Sequence, residues 1–333
     1  MDLKLVHNEL GNDWTEYERT LRDALKHPNQ LLTLINNYII SNAGKQLRPA
    51  LCILVAKLCG NVTNITYNCA AVCEIIHTAT LLHDDVADNG NVRRGKPTVK
   101  AAFTPAASVL TGDYWLAQAM HLLIEKCNTD ILSYFAQTIG ELSEGEIIQM
   151  DKADKADTTM DDYYDIIARK TASLFIAAAK SGANSVNADA ESISKVAQYA
   201  YHLGLAFQMK DDIFDYSPNL ETGKIAGADL KERKITLPLL CAFANNPMAE
   251  KQIRELICEI ENSPLTQTQI SDKEKAIINK INEFVVENNG IEDSQKILEN
   301  HVALAIEAIE GFKDCYAKKT LIRFAEYVGT RKV

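Results

Sequence analysis

The sequence predicts an all-α protein, and three observations carry that prediction. It holds only 15 Gly and 8 Pro in 333 residues, roughly 7% together against a usual ~12%, so helix breakers are sparse. Apolar residues recur at helical spacing from residue 15 to the end. No stretch shows the sustained apolar/polar alternation that a half-buried sheet needs.

Taken in chain order, the breaks between helices fall at Ser41–Gly44, Gly60–Thr66, Asp88–Pro97, Asp151–Thr159, Gly182–Asp189, Ser217–Asp229, Asn262–Thr268 and Asn288–Gly290. Each is rich in Gly, Asn, Asp, Pro or Ser. They divide the chain into about ten helices. None is long or biased enough to be an interdomain linker, and no fixed-period repeat appears, so residues 1–333 read as one domain.

The hydrophobic share of 47% and charged share of 24% are those of an ordinary globular protein. A net charge of −10 and a pI near 5.3 exclude the broad basic field a nucleic-acid partner requires, while leaving small anions open to local basic clusters. The eight cysteines form no C-x-x-C pair, which reads as reduced thiols and a cytoplasmic location. The first residues lack the basic start and apolar run of a signal peptide. Nowhere do about 18 apolar residues run together, so no transmembrane segment is expected.

The segment Cys69–Asp88 carries the first chemical signal. Val72, Ile75, Ile76, Ala79, Leu82 and Val86 follow helical spacing and are expected to face the core. On another face Asp84 and Asp88 stack one turn apart, with His77 two turns before Asp84 in nearly the same direction. Asp is a poor helix former, and three carboxylates within five residues repel one another, so Asp84-Asp85-Val86-Ala87-Asp88 is costly unless a cation neutralises it. Hard oxygen ligands point to magnesium, which takes one or two carboxylates and completes its octahedron with water and substrate phosphates. One such run alone is more often a solvated helix end. Here it recurs as Asp211-Asp212-Ile213-Phe214-Asp215, one turn after Phe207 and Gln208. An EF-hand and a nucleotide P-loop both fail on spacing.

Basic residues accompany both runs. Lys45 and Arg48 are three apart and are expected to be neighbours on one helical turn, able to clamp a diphosphate. Arg93 and Arg94 follow the first run and suit two phosphate groups. Lys170-Thr171 sits among small apolar residues, where an unpaired charge is costly and a bound anion would offset it. Lys224 and Lys234 flank the loop after the second run. Each fragment alone is more often plain surface charge; their place beside the acidic runs tells against that reading.

Together these residues resemble the trans-prenyl diphosphate synthases. Gly44-Lys45-x-x-Arg48-Pro49, Leu81-Leu82-His83-Asp84-Asp85-x-x-Asp88, Arg93-Arg94-Gly95, Gly112-Asp113, Lys170-Thr171, Phe207-Gln208-x-x-Asp211-Asp212-x-x-Asp215 and Gly223-Lys224 stand in that family's order. His77-Thr78-Ala79-Thr80-Leu81-Leu82-His83 is most similar to the bacterial octaprenyl-type, long-chain members. The resemblance implies an isoprenoid-synthase helical bundle around a deep apolar cavity, with the aspartate motifs facing each other at its mouth, usually as a homodimer. It implies two or three Mg2+ ions per active site, with Asp84, Asp88 and Asp211 as chief ligands and Asp85, Asp212 and Asp215 in support. Lys170 joins Asp84, Asp88 and Asp211 as a catalytic residue. Arg93, Lys170, Thr171, Gln208 and Lys224, with Lys234 nearby, would hold the allylic diphosphate. Lys45, Arg48, His77 and Arg94 would hold isopentenyl diphosphate. The terminal Arg331-Lys332 resembles a basic tail that some members fold over that site.

The expected reaction is elongation of an allylic diphosphate to a long all-trans polyprenyl diphosphate. Ala79 and Thr80, one turn before the first motif, carry no aromatic stop, and the motif has no insertion of the kind found in short-chain members. A short-chain farnesyl or geranylgeranyl synthase is the alternative. A terpene cyclase normally carries an Asn-Ser-Glu type second motif, and a non-catalytic synthase subunit usually has a damaged one; both motifs here are intact.

Overall fold

The structure, a computed structural model, describes residues 3–216, 227–260 and 272–331. Sparse helix breakers have the expected result: among the described residues there are seventeen α-helices and one π-helical segment. The extended structure there is a two-stranded hairpin with strands of two residues each, Val92–Arg93 and Lys96–Pro97. The fold is all-α.

Helices outnumber the ten expected because single capping residues also end them. Asn29 accepts from the Leu32 amide to start Gln30–Ser41. Thr104 accepts from Ala107 N to start Pro105–Lys126, with Pro at its first position. Asn246-Pro247 separates Leu237–Asn245 from Pro247–Cys258. A lone cap followed by proline is a complete helix start, yet it leaves no composition shift for a windowed reading to detect.

The chain divides into two compact units, each assembled from three separated stretches: residues 1–139, 174–200 and 308–324 in the first, 140–173, 201–307 and 325–333 in the second.

In the first unit, helix Asn64–Ala87 departs from the amphipathic expectation. Residues Cys69 to Ile76 are buried all round, Glu74 included, so this is a central core helix rather than a surface one. Among the described residues it is the helix long and apolar enough to cross a membrane, but 61% of the qualifying window is buried within the protein. It packs on Leu47–Cys59 and Pro105–Lys126. Gly182 lets another backbone approach Leu47–Cys59 closely, since a Cβ there would meet the Cys52 carbonyl oxygen at 2.4 Å. In the second unit Gly204 does the same for Ala172, whose Cα a Cβ would meet at 2.5 Å.

Candidate active site

The first acidic run occupies the C-terminal turn of helix Asn64–Ala87, with Asp88 as its C-cap residue donating its amide to the Asp84 carbonyl at 2.8 Å. The helix dipole is already negative there, and no basic residue lies in that last turn. The three carboxylates have different surroundings. Asp85 is buried and accepts from Arg93 Nε at 2.9 Å. Asp84 is half-buried and Asp88 exposed.

The hairpin after this helix delivers both arginines. Its register pairs Val92 with Pro97 and Arg93 with Lys96, leaving Arg94 and Gly95 as turn residues with φ of 53° and 73°. Two positive φ values mark the tight turn whose twist suits a short hairpin, at some strain for Arg94, which has a Cβ. Arg93 thereby points back to Asp85. The Arg94 guanidinium lies against Gly44, where a Cβ would meet its Nη1 at 2.1 Å. Gly112 makes the same kind of room for the His83 ring, whose Nε2 stands 3.3 Å from Asp113 Oδ1.

Lys45 and Arg48 do not share a helical turn as expected. Helix Leu47–Cys59 begins after Gln46, whose left-handed backbone (φ 47°) turns the chain and leaves Lys45 outside the helix. Arg48 packs its guanidinium 4.5 Å from the Phe175 ring centre, a favourable cation–π contact. His77, Arg94, Gln46 and Glu74 line one pocket with Gly44. Burial first, then Arg48, Arg94 and Arg93, hold the His77 pKa well below its ordinary value, so the ring is neutral.

In the second unit the other acidic run likewise ends a long helix, Ala190–Asp215, again with no basic residue in the last turn. Asp212 is buried and both its oxygens are taken: Tyr163 donates to Oδ2 at 2.5 Å and Gln208 to Oδ1 at 2.9 Å. Thr171 donates to the Gln208 oxygen at 2.8 Å. Burial, then the neighbouring Asp229, pushes the Asp212 carboxyl up to about 8. Asp215 accepts from the amides of Ala228 and Asp229 at 3.1 Å each, so it caps the short helix Ala228–Lys231. Asp211 is the open member, with a side chain 37% exposed. Its Oδ1 holds Arg331 at 2.8 Å, and Arg331 also bonds the Phe207 carbonyl and stacks 4.1 Å from the Phe207 ring centre.

Lys170 and Thr171 lie in the π-helical segment Ala168–Ala172. A π-turn inserts one residue and rotates the side chains that follow, a device common at functional sites. Lys170 pairs with Glu146. With the Gln149 amide oriented so that its oxygen faces them, Lys170 and Lys234 both donate to it at 3.2 Å. The two lysines picked from separate parts of the sequence are thus neighbours. Lys224, with Gly223, lies outside the described residues, as does Lys332.

The family model described as Polyprenyl synthetase matches residues 29–273 of this chain. The chain belongs to the polyprenyl synthetase family. Members similar to it include the octaprenyl diphosphate synthase of Escherichia coli (strain K12), 36% identical over 254 residues, covering 76% of this chain and 79% of that one. The octaprenyl diphosphate synthase of Haemophilus influenzae is 34% identical over 327 residues, 98% of this chain and 96% of that one. Among solved structures, a polyprenyl synthase from Caulobacter crescentus CB15, complexed with calcium and isoprenyl diphosphate, superposes with a TM-score of 0.88 at 29% identity, covering 100% of this chain and 98% of that one. This family member is a prenyltransferase with the isoprenoid-synthase fold.

Among the described residues no three His, Cys, Asp or Glu side chains converge into a protein-only metal cage. Magnesium needs only one or two carboxylates when substrate oxygens complete its shell. The acidic runs at negative helix ends fit such an ion. Sequence reasoning missed Gln46, Glu74, Gln149, Tyr163 and Phe175. Each contributes through a tertiary contact; Gln46 and Tyr163 do stand inside charged stretches, Lys45–Arg48 and Asp161–Asp165, but as uncharged members they drew no notice.

Proposed function

We propose that this prenyltransferase is a magnesium-dependent synthase that condenses an allylic prenyl diphosphate with isopentenyl diphosphate, repeatedly, to a long all-trans polyprenyl diphosphate. The observation that carries the reading is the pair of carboxylate runs, each at the C-terminal turn of a helix that has no basic residue in that turn. Two such arrangements are electrostatically costly unless cations and a polyanionic ligand are part of the working state.

Magnesium, when bound, would neutralise the diphosphate leaving group and so favour ionisation of the allylic carbon–oxygen bond. The residues that would hold magnesium are Asp84 and Asp88 at the first run and Asp211 at the second, whose side chains are at least partly exposed. Asp85, Asp212 and Asp215 support them: each has a carboxylate committed to Arg93, to Tyr163 and Gln208, or to backbone amides, and so fixes its helix end. Lys170 and Lys234 supply positive charge for the departing diphosphate, and Thr171 aims Gln208. Lys45, Arg48, His77 and Arg94 hold the second diphosphate, whose double bond attacks the allylic carbon. The resulting cation then loses a proton to the released diphosphate, and the product is an allylic diphosphate five carbons longer. The small and apolar residues on the helices leading to both runs exclude water, which would otherwise capture the cation. The similarity to octaprenyl diphosphate synthases supports a long product, and on the reading of the cysteines as reduced thiols we place the enzyme in the cytoplasm.

Replacing Asp84 or Asp211 by Ala is expected to lower turnover by about 10²-fold or more, the loss typical of a principal transition-state stabiliser, with folding retained. Steady-state assays with purified variants at saturating magnesium test this. Near-normal elongation by either variant would rule out a metal-binding role for that run.

A further inference from the structure

Glu74 is a buried carboxylate facing a pocket that is to receive a diphosphate, 6% exposed and one turn before His77 on helix Asn64–Ala87. A carboxylate in that place repels an anion, so it needs a partner and a purpose. Its partner is Gln46, whose amide hydrogen-bonds the Glu74 carboxylate and also donates to the Tyr17 hydroxyl at 2.9 Å. Tyr17 is fully buried on helix Asn12–Ala24, where it leans on the Trp14 ring with centres 4.7 Å apart. That helix precedes the segment 29–273 matched by the family model.

The backbone on both sides of the pocket is held in a conformation unfavourable for residues with a Cβ. Gln46 has φ 47° and Arg94 φ 53°, and such outliers persist only where surrounding contacts over-determine them. Gln46 is fixed by Tyr17 and Glu74, and Arg94 by its seat on Gly44. Burial raises the Glu74 carboxyl pKa, and Arg48 followed by Arg94 opposes that rise, so both guanidinium groups are within electrostatic reach.

We propose that Glu74, braced by Gln46 and through it by Tyr17, is a positioning residue for the isopentenyl diphosphate site: it holds Arg94, which lines the same pocket, in place and yields it to the incoming diphosphate. This rests on the function proposed above. It makes the N-terminal helix Asn12–Ala24 part of substrate recognition. Glu74 acts through Arg94 rather than on the reacting atoms.

The test is calorimetric binding of isopentenyl diphosphate to the full chain without metal or allylic substrate, together with KM for each substrate. Glu74→Gln and Tyr17→Phe are each expected to weaken isopentenyl diphosphate binding about tenfold, the effect of one lost charge-assisted or bracing hydrogen bond. KM for the allylic diphosphate should stay within twofold. Tighter binding by Glu74→Gln would mean that Glu74 merely repels the ligand and would overturn the proposal. Equal rises in both KM values, or lower thermal stability with unchanged binding, would reduce the trio to packing. Tyr17→Phe, which keeps the buried ring, remains decisive if Glu74→Gln does not fold. A wild-type chain that binds no isopentenyl diphosphate would instead refute the underlying function; wild-type binding with unaltered variants would refute this inference alone.

Discussion

The aspartates of each run divide their work according to what their oxygens touch. Asp85 and Asp212, the second members, are buried and bonded to Arg93 and to Tyr163 with Gln208, while Asp84 and Asp211 are partly exposed. The acidic runs were legible in the sequence because charge and spacing are local. Which oxygen is already committed was not, since Tyr163 and Arg331 arrive from 49 and 120 residues away. Another residue-scale arrangement lies in the second unit, where His202 Nδ1 and His301 Nδ1 stand 3.0 Å apart and Tyr164 lies 3.3 Å from His301 Nε2. Burial, then His202, pushes the His301 pKa from 6.5 down to about 4. The unfolded chain therefore takes up a proton that the folded one refuses, so this histidine's contribution to stability is present above pH 6.5 and is lost as pH falls toward 4. Thermal melts should show the difference in Tm between wild type and His301→Gln shrinking across that window. A difference independent of pH would contradict the assignment.

At the scale of elements, breaks rich in Gly, Asn, Asp, Pro and Ser were legible: Ser41–Gly44, Gly60–Thr66 and Gly182–Asp189 each span a junction between two helices, though each takes in residues of a flanking helix. The π-turn at Ala168–Ala172 was not, because its extra residue is stabilised by close tertiary packing at Gly145 and Gly204 and has no composition of its own. The register of the Val92–Pro97 hairpin was likewise hidden, although Arg94-Gly95 is its turn. Helix Asn64–Ala87 also bears on product length. Thr80 stands one turn before Asp84, about 6 Å along the axis. It is half-buried and its hydroxyl folds back to the His77 carbonyl at 2.8 Å, whereas Ala79 is fully buried among neighbouring side chains. Phe at 79 would overpack the core, costing about 1–3 kcal/mol, so position 80 gives the cleaner probe. Thr80→Phe should shift the product distribution toward shorter chains. An unchanged distribution by reverse-phase chromatography would remove Thr80 from the path of the growing chain.

For the whole molecule, absence of sheet periodicity and few Gly and Pro were enough to read the all-α class, since those signals add up over the full length. The division into two units, each drawn from three stretches, was not readable, because it depends on which helices pack together rather than on any one segment. Family resemblance supports a homodimer, and light scattering of the active enzyme should give twice the 36.9 kDa chain mass; an active, monodisperse monomer would overturn it. The central claim is that this chain elongates an allylic diphosphate with isopentenyl diphosphate to a long product. The most direct measurement is to incubate the purified chain with magnesium, farnesyl diphosphate and labelled isopentenyl diphosphate, and to chromatograph the dephosphorylated products. The account predicts label in all-trans chains of six to ten isoprene units. Unconsumed isopentenyl diphosphate, or label confined to chains of four units or fewer, would contradict it.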